Sequence, residues 1–401
     1  MANDLYFSRD TRVIMEIGDS SWEIPVLDGF SFSQSTNTSE VTLNEFENSS
    51  EISRRGRRMF NDSFAPAEWS FSTYARPFKS GGSPGDGTKG KWDYSASTSM
   101  HAVEEALWAA MVAKNITLGT VGDIAGDDNS AWSDTTAMSN NATRLQVSFA
   151  NSNKAALTEF NLYFILGSGA VSSSSDHTVY KLSNCAVNEA SIDFDIEGIT
   201  TIAWSGFGKQ LEEVAVTTIE GGTTGEVLHA DKLINEGTGG AVVKNFIRNR
   251  LTALTIAEVG GTTYPITITG GNITFSNNIT YLTPETLGKV NLPLAHVAGT
   301  RNISGSLTCY LNSSSNSSAD LFETLLERTT GTSAITNEFD LKIEIGGSAA
   351  PNLTIDLDHC HLELPTHSIE DIISTEITFH ALPDSIGGAD EATLQYKGLP
   401  L

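Results

Sequence analysis

The sequence predicts a mainly β protein made of two tandem antiparallel β-sandwich or barrel-forming domains, each with one flanking α-helix. Three observations predict this fold. The chain contains an internal repeat, its apolar residues alternate with polar ones over short segments, and each copy of the repeat has one segment with helical spacing. A period of two is typical of half-buried antiparallel strands, and a single apolar helical stripe can cover one flank of a sandwich.

The internal repeat opens with a strand, a glycine-led turn and a second strand. Residues 16–22 (EIGDSSW) match residues 258–264 (EVGGTTY), and the match extends without a gap to Gly29 and Gly271. Four further blocks follow in the same order, pairing Trp69 with Ile303, Glu105 with Glu323, Leu145 with Leu341, and Leu182 with Leu357. The offset between partners falls from 242 to 175 along the chain, which predicts longer loops throughout the first copy.

Strands and helices are read from the spacing inside these blocks. Apolar residues alternate with polar ones at 145–149 and at 341–345, which predicts a half-buried strand in each copy. The helices are predicted from apolar residues three and four positions apart: Val103, Ala106, Leu107 and Ala110 in the first copy, and Leu321, Leu325 and Leu326 in the second. Asp320 lies where a helix N-terminus favours a carboxylate.

The repeat divides the chain into three parts. Residues 1–211 form the first predicted domain, with long loop insertions at 79–99 and 115–141 that are rich in Gly, Ser, Asp and Asn. Residues 212–250 form a glycine-rich linker with a short helix near 242–250, and residues 251–401 form the second domain. Such long loops are either disordered on their own or ordered by neighbouring subunits.

Composition and charge exclude several classes of function. The 401 residues carry a net charge of −25, which opposes attraction to nucleic acid or to anionic membranes. No stretch of 18 apolar residues predicts a membrane span, and the first ten residues lack the pattern of a secretory signal. Cys185, Cys309 and Cys360 are too few and too far apart for a disulfide framework, so we expect reduced core residues.

The chemically distinctive segments favour binding surfaces over catalysis, and we expect no catalytic residue, metal or cofactor. His359, His361 and Glu363 alternate along one predicted strand face, a spacing that can bind zinc, but the first copy lacks these residues. A polar strand face is the better interpretation. Arg54, Arg55, Arg57 and Arg58, the arginine cluster, could grip nucleic acid, but in so acidic a protein carboxylates of a neighbouring copy are the favoured partners.

The order of these elements resembles the tail tube proteins of long-tailed bacteriophages. The resemblance rests on the opening strand pair that ends in residues 24–29 (IPVLDG), the hairpin region around the arginine cluster, and the strand at 68–73 (EWSFST). The helix and the closing strand pair at 185–189 and 199–205 complete it, and residues 301–307 (RNISGSL) resemble the same family's central strand in the second copy.

The resemblance implies a non-enzymatic virion protein. In that family six tube domains surround a channel, each domain contributes strands to a continuous inner barrel, and rings stack into a tube. A chain with two fused tube domains would close as a trimer. The implied partners are further copies of the chain, the tape measure protein, the tail terminator, distal tail or baseplate proteins, and double-stranded DNA that passes through without sequence-specific binding.

Two sets of charged residues acquire expected roles from the resemblance. The arginine cluster would lie in the loop region that stacks one ring on the next. The acids of the closing strands would lie near the inner barrel: Asp193, Asp195 and Glu197 in the first copy, and Glu370, Asp371 and Glu376 in the second. Two alternatives stay open, namely a tail completion or other virion β-protein, and a carbohydrate-binding adhesin with two β-sandwiches.

Overall fold

The fold was analysed in a computed structural model of the chain. It describes residues 6–18, 20–41, 46–47, 52–53, 57–80, 84–85, 91–92, 99–113, 136–150, 157–167, 177–215, 233–234, 245–259, 261–284, 286–288, 290–330, 338–369 and 372–399.

The first part of the described chain is built almost entirely from strands. They are β1 (Arg12–Ile17), β2 (Ser20–Ile24), β3 (Ser31–Ser33), β4 (Thr36–Val41), β5 (Phe46–Glu47), β6 (Ile52–Ser53), β7 (Arg58–Phe64), β8 (Ala67–Tyr74), β9 (Pro77–Ser80), β10 (Pro84–Gly85), β11 (Lys91–Trp92), β12 (Ser99–Ala102), β13 (Met138–Asn140), β14 (Leu145–Ser148), β15 (Phe160–Leu166), β16 (Thr178–Asp195), β17 (Thr201–Gly208) and β18 (Gln210–Val214). Helix α1 (Glu105–Val112) follows β12, and a short 3-10 helix spans Ser8–Asp10.

The second part repeats this composition. Its strands are β19 (Leu233–Ile234), β20 (Ala253–Glu258), β21 (Thr263–Ile266), β22 (Ile268–Ser276), β23 (Thr280–Leu282), β24 (Ala295–Val297), β25 (Asn302–Tyr310), β26 (Phe339–Ile345), β27 (Asn352–Leu362), β28 (Thr366–Ser368), β29 (Ser374–Ala381) and β30 (Thr393–Lys397). Helix α2 (Ser318–Thr330) follows β25, and a 3-10 helix spans Asn249–Leu251. The prediction of a mainly antiparallel β fold is confirmed.

An antiparallel sheet, here called the central sheet, runs through both parts of the chain. Its strand order is β3, β8, β17, β16, β22, β25, β29 and β28, and the last residues of β27 also pair with β29. The two parts meet between β16 and β22, where Glu189 opposes Ser276 and Asp195 opposes Gly270. This junction is called the seam.

Strands outside the central sheet follow the same order of pairing in each part. In the first part β2, β1, β15 and β16 are neighbours, and in the second β21, β20, β26 and β27 are neighbours. The match extends to register, because Phe160 opposes Cys185 before a bulge and Phe339 opposes Cys360 before a bulge. The long strands β16 and β27 therefore hold equivalent positions.

One block of the sequence alignment is wrong. The alternating segment at 145–149 was matched with 341–345, but β14 pairs with β13 and β30, whereas β26 pairs with β20 and β27. The strand with the pairing of β26 is β15, at 160–166. The segment at 145–149 alternates as β26 does, whereas β15 is apolar at nearly every position because Tyr163 and Ile165 are buried in a second cluster. Periodicity therefore favoured the wrong partner, and strand pairing identifies the right one.

The two helices differ from each other in their surroundings. Helix α1 was predicted as an amphipathic flank, but all its residues are buried, Glu105 included. Trp108 shows why, since its ring contacts Phe149 (centroids 6.3 Å apart), Trp204 (4.8 Å) and Phe275 (5.5 Å). In helix α2, Leu321 and Leu325 are buried as predicted, but the side chain of Leu326 is exposed.

The two parts share a core and a closing strand. Core residues of both belong to one buried cluster, and Phe149 stacks on Phe275 with ring centroids 5.2 Å apart. The last strand, β30, pairs with β27 on one side and with β14 on the other. Strand β30 therefore fastens the end of the chain to its first part by backbone hydrogen bonds.

The remaining sequence expectations have simple outcomes. Cys185, Cys309 and Cys360 are buried and free, and burial raises the pKa of each thiol, to about 11 for Cys309. Of the short helix predicted near 242–250, residues 242–244 lie outside the described residues, and the described part has 3-10 conformation at Asn245 and in the turn Asn249–Leu251 but no α-helix. Among the helices that the structure describes, none is long and apolar enough to cross a membrane.

Candidate assembly surfaces

The central sheet has one face in the core and one polar face. On β16, Ile192 and Phe194 are buried, whereas Asp193 and Asp195 are exposed between them. Residues that oppose one another on neighbouring strands point to the same face and form a row across the sheet. The row through Asp193 contains Thr201, Tyr74, Asn272, Ser306 and Thr378. The next row, through Ser191, contains Ala203, Ser72, Thr274, Ser304 and His380. These rows form a surface of mostly short polar side chains, together with Tyr74 and His380, here called the polar face.

Charge on the polar face is of one sign at neutral pH. The central-sheet strands β3, β8, β17, β22, β25, β29 and β28 contain no lysine or arginine, and neither does the part of β16 that pairs with β17 and β22 (186–195). Lys181 lies earlier in β16, where that strand pairs with β15 and β18. The carboxylates of the central sheet all lie on the polar face: Glu68, Glu189, Asp193, Asp195 and Glu376. A polyanion next to this surface would find no fixed cation with which to pair.

The structure brings together three of the six predicted acids. Asp193, Asp195 and Glu376 lie on the polar face, and the row that begins at Asp195 passes through Gly270 and Thr308 to Glu376. Glu197 lies in the exposed turn after β16. Glu370 and Asp371 lie outside the described residues.

Sequence reasoning missed Glu68 and Glu189 on the same face. Glu68 precedes the buried Trp69, so strand alternation alone could have assigned it to the polar side. Glu189 could be found in the same way, because it alternates with the buried Ala190 and Ile192, and the bulge between Val187 and Glu189 interrupts the pattern only before it.

Two members of the arginine cluster, Arg57 and Arg58, lie in or beside a two-stranded hairpin formed by β4 and β7. Arg57 and Arg58 are exposed, and Arg57 Nη1 lies 3.5 Å from Glu40 Oε2 of the same hairpin. Arg54 and Arg55 lie outside the described residues. A carboxylate partner for Arg57 thus exists within the chain, although both side chains are too exposed for this pair to contribute much stability.

A second hairpin, formed by β23 and β24, lies against the first. The backbone N–H of Phe64 donates to the carbonyl oxygen of Asn291 (2.9 Å), and the N–H of Asn291 donates to Asp62 (3.3 Å). These hairpins directly precede β8 and β25, and both strands begin at the same end of the central sheet. Both hairpins therefore emerge at that end, here called the hairpin end.

The opposite end of the central sheet is formed by turns. Residues 196–200 connect β16 to β17 there, and residues 369–373 lie between β28 and β29. Both turns lie at the end where β8 and β25 finish, since Thr201 opposes Tyr74 at the last residue of β8, and Ser374 opposes Tyr310 at the last residue of β25. This end is called the turn end.

Most of the exposed large apolar side chains in the described chain lie at these two ends. At the hairpin end they are Val41, Met59 and Phe60 of the first hairpin, and Leu282, Leu287, Val290, Leu294 and Val297 of the second. At the turn end they are Ile196, Ile199, Leu251, Tyr310, Leu311, Ile369, Ile372 and Ile373. Exposed apolar surface concentrated in this way is typical of protein–protein contacts.

The central sheet has an incompletely paired strand at each side. Among the described strands, β3 pairs with β8 alone and β28 pairs with β29 alone. A strand edge of this kind presents unpaired N–H and C=O groups on which another chain can add a strand.

The side chains of the histidine-rich strand contact separate carboxylates and do not converge on one point. His359 lies 3.6 Å from Asp384, and His380, not His359 or His361, contacts Glu363 at 3.2 Å. Among the described residues, no group of three or more His, Cys, Asp or Glu side chains is arranged to hold a metal ion.

A buried polar cluster that the sequence did not predict joins α1 to β30. Trp108 Nε1–H donates to the hydroxyl oxygen of Tyr396 at 2.7 Å, and that hydroxyl in turn hydrogen-bonds the Glu104 carboxylate. The Glu104 carboxylate also accepts the backbone N–H of Arg76 at 3.3 Å. Complete burial raises the pKa of Glu104 from 4.5 to about 7, and burial together with Glu104 raises the pKa of Tyr396. This cluster stabilises the junction of the two parts and is closed to ligands.

Comparison with known proteins shows the family to which the chain belongs. Residues 95–381 match the family described as phage tail tube protein. The tail tube protein pb6 of Escherichia phage T5 is 30% identical over 404 aligned residues, which cover 98% of this chain and 76% of that protein. The chain therefore belongs to the phage tail tube protein family and is a structural component of the virion, not an enzyme.

Proposed function

We propose that three copies of this chain close into a ring, that rings stack into the tail tube, and that double-stranded DNA passes through the channel during genome ejection. The observation that carries this proposal is the seam between β16 and β22. The seam joins two equivalent units within one chain and supplies a template for the contact between chains.

Equivalence of the seam strands follows from their partners. Strand β22 follows the hairpin β20–β21 and pairs with β25 through Phe275 and Ile303. Strand β3 follows the hairpin β1–β2 and pairs with β8 through Phe32 and Trp69. Strand β16 likewise corresponds to β27 and its continuation in β28. In order across the central sheet, the seam is thus a contact between the edge strand of one unit, β16, and the opposite edge strand of the next unit, β22.

The two edge strands of the central sheet, β3 and β28, correspond to the two strands of the seam, but within one chain they do not pair with each other. Strand β3 corresponds to β22 and β28 corresponds to the end of β16, so a second chain can place its β3 against β28 and repeat the seam. A head-to-tail contact of this kind generates a closed ring when its rotation divides the circle. With six tube positions, as the family resemblance implies, two repeated units per chain (1–211 and 251–401, joined by 212–250) close with three chains.

The channel of such a ring would be lined by the polar face. Closing the central sheet on itself leaves the buried face to the core and directs the polar face inward. DNA carries about one negative charge per 1.7 Å of its axis, so a lining with fixed cations would bind it through counterion release. A lining with carboxylates and short polar groups would leave DNA mobile.

The other proposed partners follow from a place in the tail. The two ends of the finished tube would contact the tail terminator and the distal tail or baseplate proteins, and the channel would hold the tape measure protein during assembly. These contacts rest on the family resemblance.

Native mass spectrometry and hydrogen exchange test the ring. We expect rings of three chains, and we expect the amides of β3 and β28 to become protected only on assembly. Amides of β16 and β22 are the internal control, since the seam already protects them in the single chain. A ring of six chains, or β3 and β28 amides that exchange equally before and after assembly, would contradict the proposed closure.

Genome ejection tests the channel. We expect Asp193→Lys, Asp195→Lys and Glu376→Lys combined to leave tubes able to form but to slow DNA release, more so at low salt because screening is weaker. The matched control is Glu212→Lys with Glu213→Lys on β18, two exposed acids outside the central sheet. Glu197 and the acids at 370 and 371 can be added to the test set. Equal release rates at low salt, in intact tubes, would exclude these carboxylates from the DNA path.

A further inference from the structure

Rings can stack only if each ring presents two surfaces that fit each other. We infer that the hairpin end of one copy docks on the turn end of a second copy in the next ring, and that apolar burial, not the arginine cluster, drives this contact. The inference rests on the proposed ring and adds which surfaces meet and what holds them.

Exposed apolar side chains are concentrated at the hairpin end and at the turn end. Phe60 and Met59 are 55% and 54% exposed at the hairpin end, and Ile372 and Ile369 are 63% and 80% exposed at the turn end. Such side chains, clustered at two opposite ends, are costly in water and gain free energy when covered. The polar face between the two ends has no comparable set.

The hairpin end and the turn end lie at opposite ends of the strands. Strand β25 starts beside the hairpins at Asn302 and finishes at the turn end at Tyr310, so the two surfaces face opposite ways along the strands. If the ends bind each other, each added ring exposes a fresh copy of the surface it has just covered. A heterologous contact of this kind does not close and grows a linear tube.

The charged side chains at the two ends are a weaker source of attraction than the apolar ones. Arg57 is paired with Glu40 of its own hairpin, and both side chains are well exposed. The turn end also has mixed charge, with Asp195 and Glu197 near the exposed Arg248 and Arg250. Among the described residues, neither end carries charge of one sign only, so apolar contact is the stronger candidate for the main stacking force.

A mixing experiment tests this inference with two variants. Phe60→Asp places a charge at the hairpin end and Ile199→Asp places one at the turn end. Leu326→Asp on α2 is the control, because Leu326 and Ile199 are equally exposed (41% and 40%) and Leu326 belongs to neither end. Each protein is examined by negative-stain electron microscopy, with circular dichroism to confirm folding.

We expect the control to form tubes and each end variant alone to form single rings. Mixed, the two variants should form stacks of two rings and nothing longer, because the intact turn end of one fits the intact hairpin end of the other. Double rings from either variant alone would show like-with-like stacking, and normal tubes from both would show that these surfaces do not stack; either result overturns the inference. If the unmodified chain forms no rings at all, the proposed function fails and the inference falls with it.

Discussion

The buried carboxyl of Glu104 should make the stability of the single chain depend on pH in an unusual direction. Its pKa is raised from 4.5 to about 7, chiefly by burial. Between these two values the folded chain keeps a proton that the unfolded chain has lost, so the free energy of unfolding falls as pH rises. The stabilising contribution is complete below about pH 4.5 and is lost by about pH 7.

The magnitude follows from the same interval. Each unit of pKa difference corresponds to about 1.4 kcal/mol, so the contribution of Glu104 should change by about 3 kcal/mol between pH 4.5 and 7. Glu104→Gln removes the titrating group but keeps an oxygen that can accept the Arg76 backbone N–H. We therefore expect two effects on the free energy of unfolding of the variant. Altered hydrogen bonds change it by the same amount at every pH, and relative to the unmodified chain it rises as pH rises.

Chemical denaturation of the unassembled chain at several pH values between 4.5 and 8 measures this gain. The difference in the free energy of unfolding between variant and unmodified chain should shift by about 3 kcal/mol in favour of the variant as pH rises. His101 and Glu105, which contact each other nearby, are present in both proteins and largely cancel in the difference. Glu212→Gln, at an exposed position, should show a flat difference. A flat difference for Glu104→Gln as well would refute the reasoning.

Three further predictions concern packing, the buried cluster and assembly. A Cβ on Gly206 would lie 2.2 Å from the Ala186 carbonyl oxygen and 2.5 Å from the Trp69 ring. Gly206→Ala should therefore lower the free energy of unfolding by about 2 kcal/mol. An unchanged free energy of unfolding in chemical denaturation would mean that the strands move apart easily. Tyr396→Phe removes the partner of Trp108 Nε1–H and of Glu104, and should cost about 1–3 kcal/mol in the same assay, whereas an unchanged midpoint would show that other groups replace the hydroxyl. Reversing the arginine cluster to Glu should shorten tubes without abolishing them while circular dichroism stays unchanged, because the apolar contacts between rings remain and the cluster adds only a smaller, charge-assisted part of each contact; tubes of normal length would show that the cluster is not needed for assembly.

Strand alternation explains how much of the fold could be predicted from the sequence. The polar and apolar residues around Trp69 and around Ile192 alternate as strands require, and the repeated opening hairpin shares its residue pattern at 16–22 and 258–264. Alternation failed for the strand at 160–166, which is apolar at nearly every position, whereas the segment at 145–149 has the alternating pattern of 341–345 without its pairing, because alternation does not specify which strand pairs with which. It also failed for helix α1, whose apolar stripe gave no sign that strand β30 and Phe149 would cover its other side.

The sequence by itself determined that this chain is an acidic, repetitive β protein of the tail tube kind, because alternation, charge and repeat order are properties of the chain read along its length. Only the tertiary structure decided which side chains share a surface. The polar face collects Glu68, Asp193 and Glu376 from strands that are more than a hundred residues apart in sequence, and the seam brings β16 beside β22. Such neighbours are set by long-range hydrogen-bond register and core packing, and a single sequence with repeated strand patterns allows several pairings that only the folded chain resolves.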